Sequence, residues 1–135
     1  MENKKARFNY EFLDTYTAGI VLNGQEVKAV RDGKVAFNDS YCVIEAGEMF
    51  LKKLHISAKE ATDHEVIRDR KLLLNRKEIN KLERGMKEKG LTIVPTAMYV
   101  NKTGLIKVGI ALAKGKKNYD KRESIKKREQ QRNND

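Results

Sequence analysis

"LTIVPTAMYVNKTGLIKVGIALA", residues 91–113, decides the architecture. Two runs rich in β-branched and apolar residues flank "NKTG" (101–104), a polar glycine-containing connection of the kind that joins hairpin strands. In the second run Ile106, Val108, Ile110 and Leu112 alternate and would share one buried face. Pro95 has no amide hydrogen for a ladder, so the first run is expected at a sheet edge or to carry a bulge.

Outward from this hairpin, "YEFLDTYTAGIVL" (10–22) reads as a first strand. "SYCVI" and "MFLKKLHI" flank "EAGE" (45–48) and form a second hairpin. Two helices punctuate the strands. In "NGQEVKAVRDG" (23–33) Asn23 and Glu26 have capping-box spacing, Val27 and Val30 fall on one side, and Gly33 is a plausible stop. In "NRKEINKLERGMKEKG" (75–90) Asn75 and Glu78 repeat that spacing, Ile79, Leu82 and Met86 mark one face, and Gly90 ends the run. Residues 57–71 show no sustained period and are expected to form a long loop. The tally is five or six strands and two or three short helices. Strands dominate and hairpins recur, so a mainly β antiparallel barrel is the simplest closed solution.

Beyond the last strand the composition changes. From Lys114 onward nine cations face four acids, a net of +5 and half of the chain's +10. Tyr119 and Ile125 are its only large apolar residues. Such a segment cannot bury enough surface to offset its ordering entropy. The expected division is a barrel over 1–114 and a basic tail over 115–135, disordered when free. Glu123 and Lys127 have i,i+4 spacing, which supports a helix too weakly to hold it in water, so a helix on binding is expected. Twenty-one residues reach ~32 Å as a helix and at most ~70–75 Å extended.

A pI near 9.7 points to a polyanionic partner, most often nucleic acid, although a basic chain can be merely soluble. Cys42, alone, excludes an internal disulfide and fits a reducing compartment. The start lacks an apolar signal region and no run is long enough to span a membrane, so a cytoplasmic monomer is expected. Nothing in the sequence suggests catalysis. His55 and His64 are the only histidines, no spacing suits zinc, and no phosphate loop or nucleophile motif occurs, so neither metal nor cofactor is expected.

Taken together and in order, "NKKARFNY", "GQEVKAVRDGK", "DSY", "HIS", "RKLLLN", "AKGKK" and "DKR" resemble the SsrA-binding protein (small protein B) family, over about residues 3–129. The resemblance implies an OB-like barrel that binds the tRNA-like domain of transfer-messenger RNA. It also implies delivery of that RNA to stalled ribosomes for trans-translation, with the basic tail in the empty mRNA channel. A ribosomal or other rRNA-binding structural protein, or an RNA-processing enzyme using Glu26, His55 or Lys28, are the alternatives.

The resemblance implies RNA contacts from Asn3, Lys4, Lys5, Arg7, Gly24, Glu26, Lys28, Arg31, Lys71, Leu73 and Asn75. Cations there would neutralise phosphates, giving affinity and register rather than sequence choice. Glu26 and Asn75 have rival roles as cap partners, and an Asn cap leaves its amide donors available. Leu73 would ordinarily be core; exposed, it would pack on a base or ribose. Thr17 stands where many relatives carry an acid and stays outside the candidate set. In the tail "GKKNYDKR" matches the family's entry into the arm, with Asp120, Lys121 and Arg122 as its functional "DKR"; the ribosome-binding candidates are these, Gly115 as pivot, Lys116, Lys117, Tyr119 as a stacking face, Lys126, Lys127 and Arg128.

Overall fold

The structure, a computed structural model, describes residues 1–116. Residues 91–113 fold as the expected hairpin: β7 (Thr92–Val100) and β8 (Ile106–Gly115) pair antiparallel from Thr92↔Ala113 to Val100↔Ile106. The register shifts between Pro95 and Ala97, so the residue without an N–H sits at a bulge. β1 (Tyr10–Ile20) lies along the other side of β8, from Tyr10↔Gly115 to Gly19↔Lys107.

Three shorter strands close the sheet. β3 (Tyr41–Glu45) and β4 (Glu48–Lys52) form the second expected hairpin, and β6 (Arg70–Leu73) joins β4 to β1. The order β1-β6-β4-β3-β7-β8 is a closed six-stranded barrel, as the recurring hairpins predicted. Between β3 and β7 the ladder is a single pair, Cys42↔Ile93. Inside, Met49, Leu51, Ile93, Met98, Val108 and Ile110 are fully buried. Cys42 lies among them, and burial pushes its thiol up. A separate two-residue ladder pairs β2 (Val35–Ala36) with β5 (His55–Ile56).

Helices α2 (Gly24–Arg31) and α4 (Arg76–Lys89) form where expected, each with a complete capping box. Gly90 takes φ 63 at the end of α4, the left-handed conformation that glycine enters without steric cost. Two further helices were not expected. α3 (Asp63–Val66) interrupts the anticipated loop; its box, Thr62 with Glu65, holds a turn that buries no residue. α1 (Lys4–Asn9) carries the cationic cluster that precedes β1. Asn3 makes it possible: its Oδ1 accepts from Ala6 N–H at 3.2 Å, and its Nδ2 donates to Pro95 O at 2.8 Å. Met1 and Asn3 also bond to the β7 backbone, so the N-terminus is stitched onto the barrel.

β8 continues through Gly115, opposite Tyr10, and the Lys116 N–H donates to Asn9 O at 2.9 Å. Gly115 is therefore the last rung of the ladder rather than a pivot outside it. Lys117, Tyr119, Asp120, Lys121, Arg122, Lys126, Lys127 and Arg128, with the expected disorder and induced helix, lie outside the described residues. Among the described residues no helix is long and apolar enough to cross a membrane.

Candidate nucleic-acid interface

At one end of β1 the chain turns into α2, whose box buries Glu26. Glu26 Oε1 accepts from Asn23 N–H at 3.0 Å, and Glu26 N–H donates to Asn23 Oδ1 at 2.8 Å. The carboxylate then meets two guanidiniums. Arg70 donates to Oε2 through Nε (3.0 Å) and Nη2 (2.7 Å), while Arg68 donates to both oxygens. Burial alone would raise the Glu26 pKa, but the bonds from Arg68, Asn23 and Arg70 outweigh it and hold it below the ordinary carboxylate value. Burial pulls Arg70 down, against the opposing pull of Glu26. Arg70 is fully buried and also donates to the carbonyls of Leu54, Glu65 and Val66, tying α2 to the 54–66 segment.

Glu26 is thus turned inward, while its helix presents Gly24, Lys28 and Arg31 outward. Lys28 has no partner among the described residues. Arg31 Nη2 donates to Gly104 O at 3.3 Å, drawing the β7–β8 turn toward α2. Between them opens a cleft of ≈280 Å³, lined by Ile20, Leu22, Val27, Leu73, Leu105 and Lys107. Leu73 is 53% exposed and Leu105 59%. Leu73 can stand there because its strand partner is Gly19, where an added Cβ would come within 3.3 Å of it. Thr17 is exposed two residues from Gly19 on the same face of β1.

Asn75 accepts Glu78 N–H at 2.9 Å through Oδ1, which leaves its Nδ2 unused among the described residues. Cap and external donor are compatible. Lys71 is turned along the barrel wall to Glu48 at 3.1 Å.

The other end of β1 carries a second cationic group. Lys4, Lys5 and Arg7 are exposed on α1, with Lys5 on Asp39 (2.8 Å) and Arg7 on Glu2 (3.5 Å). Exposed pairs of this kind are exchanged for phosphate at little cost. Asn3, by contrast, is buried, and both ends of its amide are used inside the fold. Beside α1 is a cleft bordered by Tyr10, Ser40 and Tyr41, where the buried Ser40 Oγ has no partner among the described residues. Lys116 leaves the barrel here. Nine residue steps of strand run from Tyr10 to Gly19, so the two ends lie roughly 25–30 Å apart.

The structure therefore sorts the candidates instead of pooling them. Gly24, Lys28, Arg31, Leu73 and Asn75 face one end; Lys4, Lys5, Arg7, Gly115 and Lys116 the other. Asn3 and Glu26 work inside. Sequence reading missed Arg68 and Arg70, whose signal was two arginines in "RDRK" at strand-like spacing, and missed Leu105 and Lys107 at the turn. Among the described residues no three His, Cys, Asp or Glu side chains gather to hold a metal.

The family model "SmpB protein" matches residues 1–135. An SsrA-binding protein of Bacteroides thetaiotaomicron is 50% identical over 135 residues, covering 98% of this chain and 90% of that protein. One of Thermosipho africanus is 54% identical over 130 residues, covering 94% and 87%. A solved structure described as "tmRNA-SmpB: a journey to the center of the bacterial ribosome" holds a chain 45% identical, with TM-score 0.72, covering 87% of this chain and 85% of that one. With its barrel, its two cationic ends and its full-length match, this chain belongs to the SmpB family.

Proposed function

We propose that this protein is a two-ended RNA adaptor for trans-translation. The α2–Leu73 end binds the tRNA-like domain of transfer-messenger RNA, and the α1 end, from which the basic tail departs, turns to the decoding region of a stalled ribosome. The observation that supports it is the placement of the cations at opposite ends of one strand, on a family member whose relatives are SsrA-binding proteins. At the first end Lys28 and Arg31 would meet phosphates while Leu73 and Leu105 offer an apolar floor to a base or ribose. Asn75 would donate through Nδ2. Glu26 would act through the helix it docks, not by touching RNA.

The role is binding, with no chemical step. Two of the side chains an RNA-cleaving reading would need are placed otherwise: Glu26 is enclosed by two arginines and Lys28 points outward. Labelled RNA incubated with the protein should be returned uncut and unmodified.

Electrophoretic binding to the tRNA-like domain, against an unrelated hairpin RNA of equal length, tests the first end. Clear preference for the tRNA-like domain at physiological salt is expected, and equal affinity would overturn the reading. A chain ending at Lys116 keeps the β1–β8 ladder and should keep that preference while losing peptide tagging on stalled ribosomes. Loss of RNA binding in the shortened chain would contradict the division of labour.

A further inference from the structure

α4 bears cations that neither the fold nor the two ends account for. Its acids are mostly engaged: Glu78 serves the cap and Glu83 pairs with Lys87 at 3.5 Å. Arg76 donates to Gly47 O. Lys77, Lys81, Arg84 and Lys89 have no partner among the described residues, against Glu88 alone on the same helix. Lys81, Arg84 and Lys89 rim a groove of ≈300 Å³ between α4 and β1. Its floor is apolar: Leu13 is 48% exposed, and Tyr16 and Leu91 are half-buried. α4 lies close on the barrel because Gly85 has no side chain; a Cβ there would come within 2.6 Å of Leu112. Burial, with Asp14 and Glu78 nearby, pushes the Tyr16 phenol up, so it stays a neutral donor and stacking face.

An apolar floor under three cations that outnumber the two carboxylates of Asp14 and Glu88 suits a nucleotide, with its base on Leu13, Tyr16 and Leu91 and flanking phosphates on Lys81, Arg84 and Lys89. The chain's own tail is an unsuitable occupant, since it is itself net positive. The groove takes α4 from Lys81 to Lys89 and the middle of β1, Leu13 to Tyr16, so it lies beside the barrel's middle, displaced from Leu73 toward the end where Lys116 leaves. We propose that this groove is a third RNA contact, taking an unpaired ribonucleotide of ribosomal RNA. The assignment rests on the reading that this end faces the ribosome.

The test places p-benzoylphenylalanine at the exposed Leu13 of the full chain, bound with transfer-messenger RNA to stalled ribosomes. Irradiation should give a crosslink that maps by sequencing to ribosomal RNA. A crosslink to transfer-messenger RNA, a crosslink to protein only, or none would overturn the proposal. In parallel, the Lys81→Gln, Arg84→Gln double variant should bind ribosomes about tenfold more weakly. Its affinity for the isolated tRNA-like domain and its Tm should be unchanged. Unaltered ribosome binding, or equal loss on both RNAs, would also overturn it. Failure of the parent reading looks different: the wild-type chain would not distinguish the tRNA-like domain from an unrelated hairpin.

Discussion

Glu26 shows how a residue at the proposed RNA-binding end would matter without reaching the RNA. Two guanidiniums enclose one carboxylate, and Arg70 reaches four separate groups from a fully buried position. Removing one partner of such a pair leaves the other charge buried and uncompensated, which typically costs ~3–5 kcal/mol. Glu26→Gln should therefore destabilise the barrel strongly, and urea unfolding measures by how much. The pH dependence follows from the lowered carboxyl. Its contribution is fully present above the ordinary value of 4.5 and disappears as pH falls through the lower folded value. The stability gap between wild type and Glu26→Gln should thus hold above pH 4.5 and narrow as the pH falls below it. A gap that stays constant over that range would show that the carboxylate charge is not what the arginines hold.

At the scale of elements, Asn75 poses a question that substitution can answer. Asn75→Ala removes the cap of α4 and should cost ~1 kcal/mol of stability. Asn75→Asp keeps an oxygen for the Glu78 N–H and adds a negative charge favourable to the helix N-terminus. It also deletes the Nδ2 donor and opposes phosphate. Wild-type Tm with at least about tenfold weaker binding to the tRNA-like domain is expected for Asn75→Asp; unchanged binding would leave Asn75 as a cap alone. That α2 and α4 were legible in sequence has the same cause as this prediction. Their boxes and stops are made within six residues, and their apolar faces show the helical period. The 62–65 box was equally local, yet α3 buries nothing, so no period announced it. α1 was invisible for a different reason: Asn3 is fixed by Pro95 O, 92 residues away. The same distance rule divides the candidate site. Exposed cations such as Lys28 could be read locally, whereas the inward turn of Glu26 depends on Arg68 and Arg70, more than forty residues on.

For the whole molecule the closed barrel sets how far one end can influence the other. β1 is paired along its length with β8, so the α2 end and the α1 end are held at the ~25–30 Å fixed by nine residue steps of strand. That exceeds the Debye length of ~8 Å at physiological salt, so single charges at the two ends should not sense each other. Lys28 and Lys4 are the cleanest probes, because neither has a partner among the described residues and their loss removes no internal contact. Lys28→Gln should weaken binding to the tRNA-like domain and reduce the slope of log affinity against log salt by about 1, as one lost phosphate contact requires. Lys4→Gln should leave that binding unchanged and weaken ribosome association of the preformed complex. In the double variant the two losses should add within ~0.5 kcal/mol when binding is read on stalled ribosomes. Coupling beyond that, or a fall in tRNA-like binding from Lys4→Gln alone, would mean that both ends grip one continuous RNA surface, and the two-ended adaptor would have to be abandoned.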